Sequence, residues 1–521
     1  MKISARAPRL AVVALAAALA FTGCAQAPAA ETGGGSGEPV AGGTLTFGRA
    51  ASVTDLDLHQ QITANNAFAI DKIFEPLVSF DEAGKIIPWL AEYEVSDDGL
   101  SYVFTLHEGL KFSDGTDVTP ADVVFSLERH LNMEGSPLPI EAPVSAIEAT
   151  GDREVTITLD SPYTPFLAEL AGFSNGVLPA DFGGATEEEF FKNPVATGPW
   201  VVDAWDPNGD LSFVKNEHYW QDGKPYLDEL VYKFVADPTQ LQQQLVAGQV
   251  DAVEQVPAAN SAEVSSNAAL QLIEAPGWSA DQVFFNTLNE HFADEHVRRA
   301  IAHAIDRDGI AQATSFGTAE AANALVPPAI EYSAQDEGFA LDYDVDAAKA
   351  EIAKSGFADG FKATLAIRND RPEFGQIAQI VQEQLGEIGI TVGIESLDYA
   401  VFKERVYGNL DYDFMINNGQ ADAPDPNGII SFQTDVTGFS KSYWTSFSDA
   451  EVNKLVEQGR VTPDGPEREQ VYFDIQQLLA EKAPFIPLQF PANLQGTSAA
   501  VQGYSLLPNG SVRFQDAWIQ Q

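Results

Sequence analysis

Four apolar residues at helical spacing, Ile377, Val381, Leu385 and Ile388, are followed by Gly389 and at once by the run ITVGI. Side chains three and four apart line one face of a helix, a glycine can take the left-handed turn that ends it, and alternating β-branched residues suit a strand lying against that face. A helix that returns directly into a strand is the unit of a sheet with helices packed on its faces. Val297, Ile301, Ala304 and Ile305 repeat the helical spacing. Upstream, YVFTL (102–106), Val201 to Trp205, Leu211 to Val214 and Leu230 to Val235 read as strands, with DG, PNGD and DGKP supplying turns. Thr119-Pro120 opens a helix, the first residue as its cap and the second at its first position, and TQLQQQLVA (239–247) forms another, stopped by Gly248. The pattern predicts an α/β fold. Roughly 480 residues after the first forty are more than one core organises, so two or more lobes are expected.

The N-terminus reads as an address. Lys2, Arg6 and Arg9 precede an apolar stretch, Leu10 to Ala20, too short to span a bilayer, and Phe21-Thr22-Gly23-Cys24 closes it with small residues. This resembles a bacterial lipoprotein signal, with Phe21 where Leu is usual. The resemblance implies cleavage after residue 23, lipid on Cys24 and attachment at the extracytoplasmic face of the cell membrane. Cys24 is the one cysteine of the 521 residues, so no disulfide forms within the chain. Residues 24–42, rich in Ala, Gly and Pro, read as a tether. With residues 1–23 removed, 76 acids face 26 bases, which argues against nucleic acid or anionic lipid as a partner.

Three chemical motifs are weak. Gly172-Phe173-Ser174-Asn175-Gly176 matches G-x-S-x-G, but a nucleophile elbow needs a strand before the Ser and a helix after it. TPFLAELA reads as a helix before, and Pro179 blocks one after. Asp342, Asp344 and Asp346 begin like a calcium loop, yet Ala347 and Ala353 stand where Gly and Glu are required, and Asp346 is expected to cap the next helix. His291, His296 and His303 sit on or beside one amphipathic helix, which gives them surface positions. No catalytic step, metal or cofactor is expected.

Five stretches carry a more specific resemblance: residues 86–129, NPVATGPWVV (193–202), NEHYWQDGKPYLDELVYKF (216–234), VRRAIAHAIDRDGI (297–310) and 449–490. In that order they are similar to the extracellular solute-binding proteins, family 5, of ATP-binding-cassette importers, the class that includes dipeptide, oligopeptide and nickel binders. His107 and Ser113 depart from the family's usual Arg and His. The resemblance implies a bilobal, type II periplasmic-binding-protein-like fold. Lobe one would take 43–283 and 497–521, with an extra subdomain over about 80–190, and lobe two 284–496. The chain would cross between lobes at VFFNT (283–287) and PFIPLQF (484–490).

It also implies a monomeric receptor that captures peptides between its lobes and hands them to a membrane permease. Ala421-Asp422-Ala423-Pro424-Asp425-Pro426 matches the ADxxxP segment of peptide binders, whose Asp receives the ligand's α-ammonium. Asp422 is therefore the expected anchor, with Asn418 and Gly419 beside it and Asp425 a loop acid of lesser consequence. Arg368 or Arg371 would receive a ligand carboxylate. Trp278, Tyr443 and Trp444 would wall the cleft. Alternatives are a sugar, opine or other small-solute receptor, a nickel-chelate receptor, disfavoured because no histidine follows His303, and outside that class a hydrolase using Ser174.

Overall fold

The computed structural model describes residues 38–60, 63–438 and 440–520. Cys24, the signal segment and most of the tether lie outside the described residues. Two large sheets organise the rest. The first has seven strands in the order Leu270–Ala275, Asn493–Ser498, Ala252–Val253, Thr44–Arg49, Glu229–Phe234, Leu211–Lys215 and Trp200–Trp205. The second has six: Ala319–Ala321, Phe485–Pro491, Ser279–Phe285, Phe414–Gln420, Phe361–Arg368 and Ile390–Leu397. A separate four-stranded sheet, Ala91–Val95, Ser101–Leu106, Glu154–Leu159 and Val144–Ala149, lies within residues 80–190.

The chain passes from the first large sheet to the second over Pro276-Gly277-Trp278 and returns at Ala492. Both passages differ from the expected 283–287 and 484–490. Those apolar runs are not linkers. They are neighbouring central strands, with Val283 opposite Ile486 and Phe284 opposite Phe485, and their apolarity reflects burial on both faces of the sheet.

Alternation along Ser279–Phe285 builds two layers. Val283 and Phe285 pack with helices Glu295–Ala304 and Pro372–Gly386, whose Phe374, Ile377, Val381 and Leu385 are fully buried. Phe284 and Met415 face the opposite way, into a core shared with helices Pro426–Thr434, Ala450–Val461 and Pro466–Lys482 and with residues 77–177. At about 1.5–3 kcal/mol for each large apolar side chain, these stripes rather than helix propensity hold the helices in place. Local signals otherwise behave as expected. Helix Pro120–Leu131 starts at Thr119, whose N–H donates to the Asp122 carboxylate at 2.7 Å. One cap moves: Asp344, not Asp346, accepts the N–H groups of residues 346 and 347 at 2.9 Å each, since it is the residue still in extended conformation.

The segment with the four-stranded sheet reaches the six-stranded half through polar contacts. Thr164 donates its N–H to the Arg460 carbonyl at 2.7 Å, Arg460 pairs with Glu141 at 3.1 Å, and Asn427 Nδ2 donates to the Tyr163 hydroxyl at 3.2 Å. Tyr163 in turn donates to Glu169 at 2.5 Å. Burial pushes the Glu169 carboxyl up to about 8, although the Tyr163 bond opposes it. Glu75, bonded by Trp89, Tyr219 and Trp220, is pushed up to about 7 by the same desolvation. A carboxyl that titrates higher when folded stabilises the fold below its unfolded value and loses that contribution as pH rises through its folded one. Stability should fall between the ordinary carboxyl value of 4.5 and about 8. Glu169→Gln, which still accepts from Tyr163, should flatten this decline and melt above the wild type at alkaline pH. An unchanged slope in a pH series of thermal melts would refute the assignment.

Candidate solute-binding site

Strand Phe414–Gln420 decides where the candidate groups go. Ser279–Phe285 pairs with it residue by residue, Asp281 opposite Asn418 and Gln282 opposite Asn417. Asn418 shares a face with Phe414 and Ile416. Its Oδ1 accepts from Arg371 Nη2 at 3.5 Å, and on the same face Asp281 accepts from Gln489 at 2.9 Å and is pushed up to about 6 by burial. Asn417 and Gly419 take the other face. A Cβ on Gly419 would lie 2.4 Å from Gln433 Nε2 and 2.5 Å from Gln282 Nε2, so the glycine makes room for two buried amides.

Beyond the strand, Ala421 donates its N–H to the Trp278 carbonyl at 3.0 Å, and Asp425 caps helix Pro426–Thr434 by accepting from the Asn427 N–H at 2.8 Å. Asp422 is held between these fixed points. Its side chain is accessible to solvent, yet protein surrounds it closely enough to push its carboxyl up to about 6 by desolvation alone. Among the described residues no hydrogen bond or ion pair reaches it.

Arg368 lies on the Asn417 face. It donates to Asp370 at 3.0 and 2.7 Å, and its guanidinium stands 4.2 Å from the centre of the Tyr399 ring. Tyr407 stacks on Trp444 at 3.8 Å and accepts from Asn417 Nδ2 at 2.6 Å, while the Tyr443 hydroxyl donates to the Asn418 carbonyl. Tyr443 feels both charges: burial raises it most, Asp422 adds to the rise and Arg368 opposes it. Asp422 and Arg368 are thus both near Tyr443, whereas Arg371 meets the Asn418 side chain on the other face of the sheet.

The carrier of Tyr443 and Trp444 is a left-handed turn with φ of 47°, 58°, 54° and 61° at residues 441–444 and 57° at Ser446. Each such residue costs about 1–2 kcal/mol. Side chains hold the turn: Ser442 Oγ donates to the Phe447 carbonyl at 2.5 Å, Thr445 Oγ1 to the Ser442 carbonyl at 2.7 Å, and the Tyr412 hydroxyl to the Trp444 carbonyl at 2.7 Å.

Residues 85–441 match the bacterial extracellular solute-binding proteins, family 5, in the middle region of that family. The chain belongs to this family. It is 27% identical over 486 residues to the glutathione-binding protein GsiB of Escherichia coli O6:K15:H31, covering 90% of this chain and 93% of the other. Its fold, that of the type II periplasmic binding proteins, superposes on the binding protein AgaA in complex with agropinic acid from A. tumefaciens R10 with a TM-score of 0.81 and 28% identity, over 92% of this chain and 99% of the other. The oligopeptide-binding protein AppA from Bacillus subtilis, in complex with a nonapeptide, aligns with a TM-score of 0.78 and 25% identity, over 93% and 100%. This is a solute-binding protein of the importer class, and its neighbours are transport receptors rather than enzymes.

The remaining residues sort differently in this family 5 chain. Trp278 is 1% exposed, donates to the Ala329 carbonyl at 3.2 Å and packs on Phe80, so its ring is committed to the passage between sheets. Ser174 is buried in a short turn, Phe173–Asn175, after helix Phe166–Leu170, without the strand that an elbow requires. His291 stacks on Phe361, His296 meets Glu351 at 2.8 Å and His303 meets the Asp342 carbonyl at 2.8 Å, so the three diverge. Among the described residues no three His, Cys, Asp or Glu side chains are grouped to hold a metal. Tyr399 and Tyr407, absent from the sequence reading, carry no local motif; only the π-helical turn Lys403–Gly408 after Tyr399–Phe402 aims them at Arg368.

Asp425 is not a dispensable loop acid. Its carboxylate lies 2.8 Å from Arg468, a guanidinium only 1% exposed and flanked by the rings of Tyr332 and Tyr472. Arg468 also pairs with Asp464 at 2.7 Å, so losing Asp425 leaves the guanidinium one acid, and the charged hydrogen bond lost is worth about 1.5–3 kcal/mol. Asp425→Ala should lower the unfolding free energy by that amount in denaturant titration. A loss below about 1 kcal/mol, the worth of a helix cap alone, would show the pair to be inconsequential.

Proposed function

We propose that this protein captures small peptides through their free α-ammonium group and delivers them to a membrane permease, without chemical change to the ligand. The observation that carries the reading is Asp422, a solvent-accessible carboxylate whose proton affinity is raised by its surroundings and which has no hydrogen-bond or ion-pair partner among the described residues. A desolvated carboxylate gains a short, charge-assisted hydrogen bond from an ammonium, and the gain exceeds that at an open surface. The two large sheets serve as the cores of two lobes, with 80–190 as an added subdomain. Ligand held between them at Asp422 is enclosed by a hinge motion. Arg368 is the better partner for a ligand carboxylate, since both it and Asp422 are near enough to act on Tyr443, whose hydroxyl meets Asn417 on the Arg368 face of the sheet. The glutathione bound by GsiB and the nonapeptide bound by AppA are peptide ligands and support the class. A second reading, a non-peptide solute, draws on the agropinic acid bound by AgaA.

Native mass spectrometry of the purified protein with a pool of di- to pentapeptides identifies a ligand, and calorimetry on that peptide and its N-acetyl form tests the anchor. Asp422→Ala should weaken binding by roughly 30-fold to a few thousand-fold, corresponding to about 2–5 kcal/mol for stripping one partner from a buried charge pair. N-acetylation should do the same, and the exposed Asp411→Asn should change nothing. As pH falls below about 6 the carboxyl takes up a proton, and affinity should drop by up to about tenfold per unit. Asp422→Asn should abolish that dependence. If both peptide forms bind alike and Asp422→Ala is silent, the peptide reading fails in favour of a non-peptide solute.

The monomer is proposed to be held at the membrane by lipid on Cys24. One acyl chain anchors marginally and several anchor stably. Cys24→Ala should move the protein from the membrane fraction to the medium or leave an uncleaved precursor; retention of lipid-free protein in the membrane fraction would sink the anchor.

A further inference from the structure

Strands Phe361–Arg368, Ile390–Leu397 and Phe414–Gln420 run parallel, so their C-terminal ends open on one side of the sheet. Arg368 is the last residue of the first strand, and Asp422 follows the end of the third. Open α/β sheets bind ligands outside the C-terminal ends of their parallel strands. The Arg368 guanidinium is nevertheless engaged in this structure. Its Nε and Nη2 donate to the two carboxylate oxygens of Asp370 at 3.0 and 2.7 Å, the two-pronged grip that an arginine gives a carboxylate.

Other acids that grip an arginine in this protein are buried and have a second duty. Asp57 holds Arg129 through both oxygens and also accepts from Gln60 and from the His59 N–H, and Asp425 holds Arg468 while capping a helix. Asp370 has neither property. Among the described residues Arg368 is the only side chain that donates to it, and 45% of its own side chain is exposed, against 17% for Arg368. It caps nothing, because helix Pro372–Gly386 begins at Arg371 without a side-chain cap. The arginine is the sheltered member of the pair, with the Tyr399 ring centre 4.2 Å from its guanidinium, and the acid is the displaceable one.

We propose that Asp370 is a built-in stand-in for the ligand's carboxylate: it occupies Arg368 in the free protein, and an incoming α-carboxylate displaces it. The inference rests on the peptide reading above and deepens it by making capture an exchange of one carboxylate for another. Exchange keeps the sheltered guanidinium paired before and after binding, so the departing ligand strands no charge. It also selects: a ligand that ends in a neutral amide has no charge to offer Arg368 and leaves Asp370 in place. The cost of the exchange is the Arg368–Asp370 contact itself, which is small for a half-exposed pair.

The probes are a peptide retained from the di- to pentapeptide pool and its C-terminal amide, titrated by calorimetry into the full mature protein. Asp370→Asn and Asp370→Ala should each tighten binding of the free acid roughly two- to fivefold, the range open to a half-exposed ion pair, and leave the amide form unchanged. Arg368→Met should make the two forms bind alike. Glu373→Gln removes the same charge three residues on without touching Arg368, and should change neither. A weaker free acid with Asp370→Asn would show that Asp370 orients Arg368 for the ligand, and equal tightening by Glu373→Gln would show a general charge effect; either overturns the proposal. If Asp422→Ala weakens both forms while the Asp370 variants are silent, the peptide reading stands and this inference fails. If the pool yields no bound peptide, both fall.

Discussion

The pairing of Ser279–Phe285 with Phe414–Gln420 on one edge and Phe485–Pro491 on the other is the constraint on which the rest depends. The chain enters the six-stranded half along the first of these strands and leaves it along the third, so both passages between the large sheets emerge from one ladder. Every residue from Ala280 to Phe285 is buried. A one-residue slip of register would exchange the residues facing the two helical layers and throw Asn417 and Asn418 to opposite sides. The separation of Arg371, which meets Asn418, from Arg368 on the Asn417 face follows from that alternation.

Charge sets the second constraint. With acids in such excess, most carboxylates of this protein do local structural work as helix caps, turn acceptors or arginine partners. Asp306, Asp344, Asp425 and Asp449 each cap a helix. Asp422 differs from them by surroundings and not by residue type. Three residues away, Asp425 has a cap and an arginine, while Asp422 has no such partner among the described residues and a raised affinity for protons. Strain is spent at the same place: the left-handed turn at 441–446 brings Tyr443 and Trp444 to the strand end, and hydroxyl groups of Ser442, Thr445 and Tyr412 meet its cost locally.

Much of the fold was legible beforehand because its signals are local. The helical stripe at 377–388, the Gly389 stop and the strand after it appear as read, as do the capped start at Thr119 and the strands at 200–234. The misplaced passages share one cause. An extended apolar run looks alike as a linker between lobes and as a central strand, and only its hydrogen-bond partners, more than a hundred residues away, tell them apart. Tyr399 and Tyr407 were invisible for a related reason, since their role depends on which face of a distant strand carries Arg368.

By itself the sequence determined the α/β alternation, the family and the segment that carries Asp422, because periodicity, caps and short motifs are written in neighbouring residues. Tertiary structure alone decided that Arg368 and Asp422 act on one tyrosine, that Arg371 lies across the sheet, that Asp425 is bound to Arg468 and that Trp278 is packed away. Each of these depends on pairing and burial between residues far apart in the chain, and desolvation, which gives a carboxylate its character, is a property of the space around it.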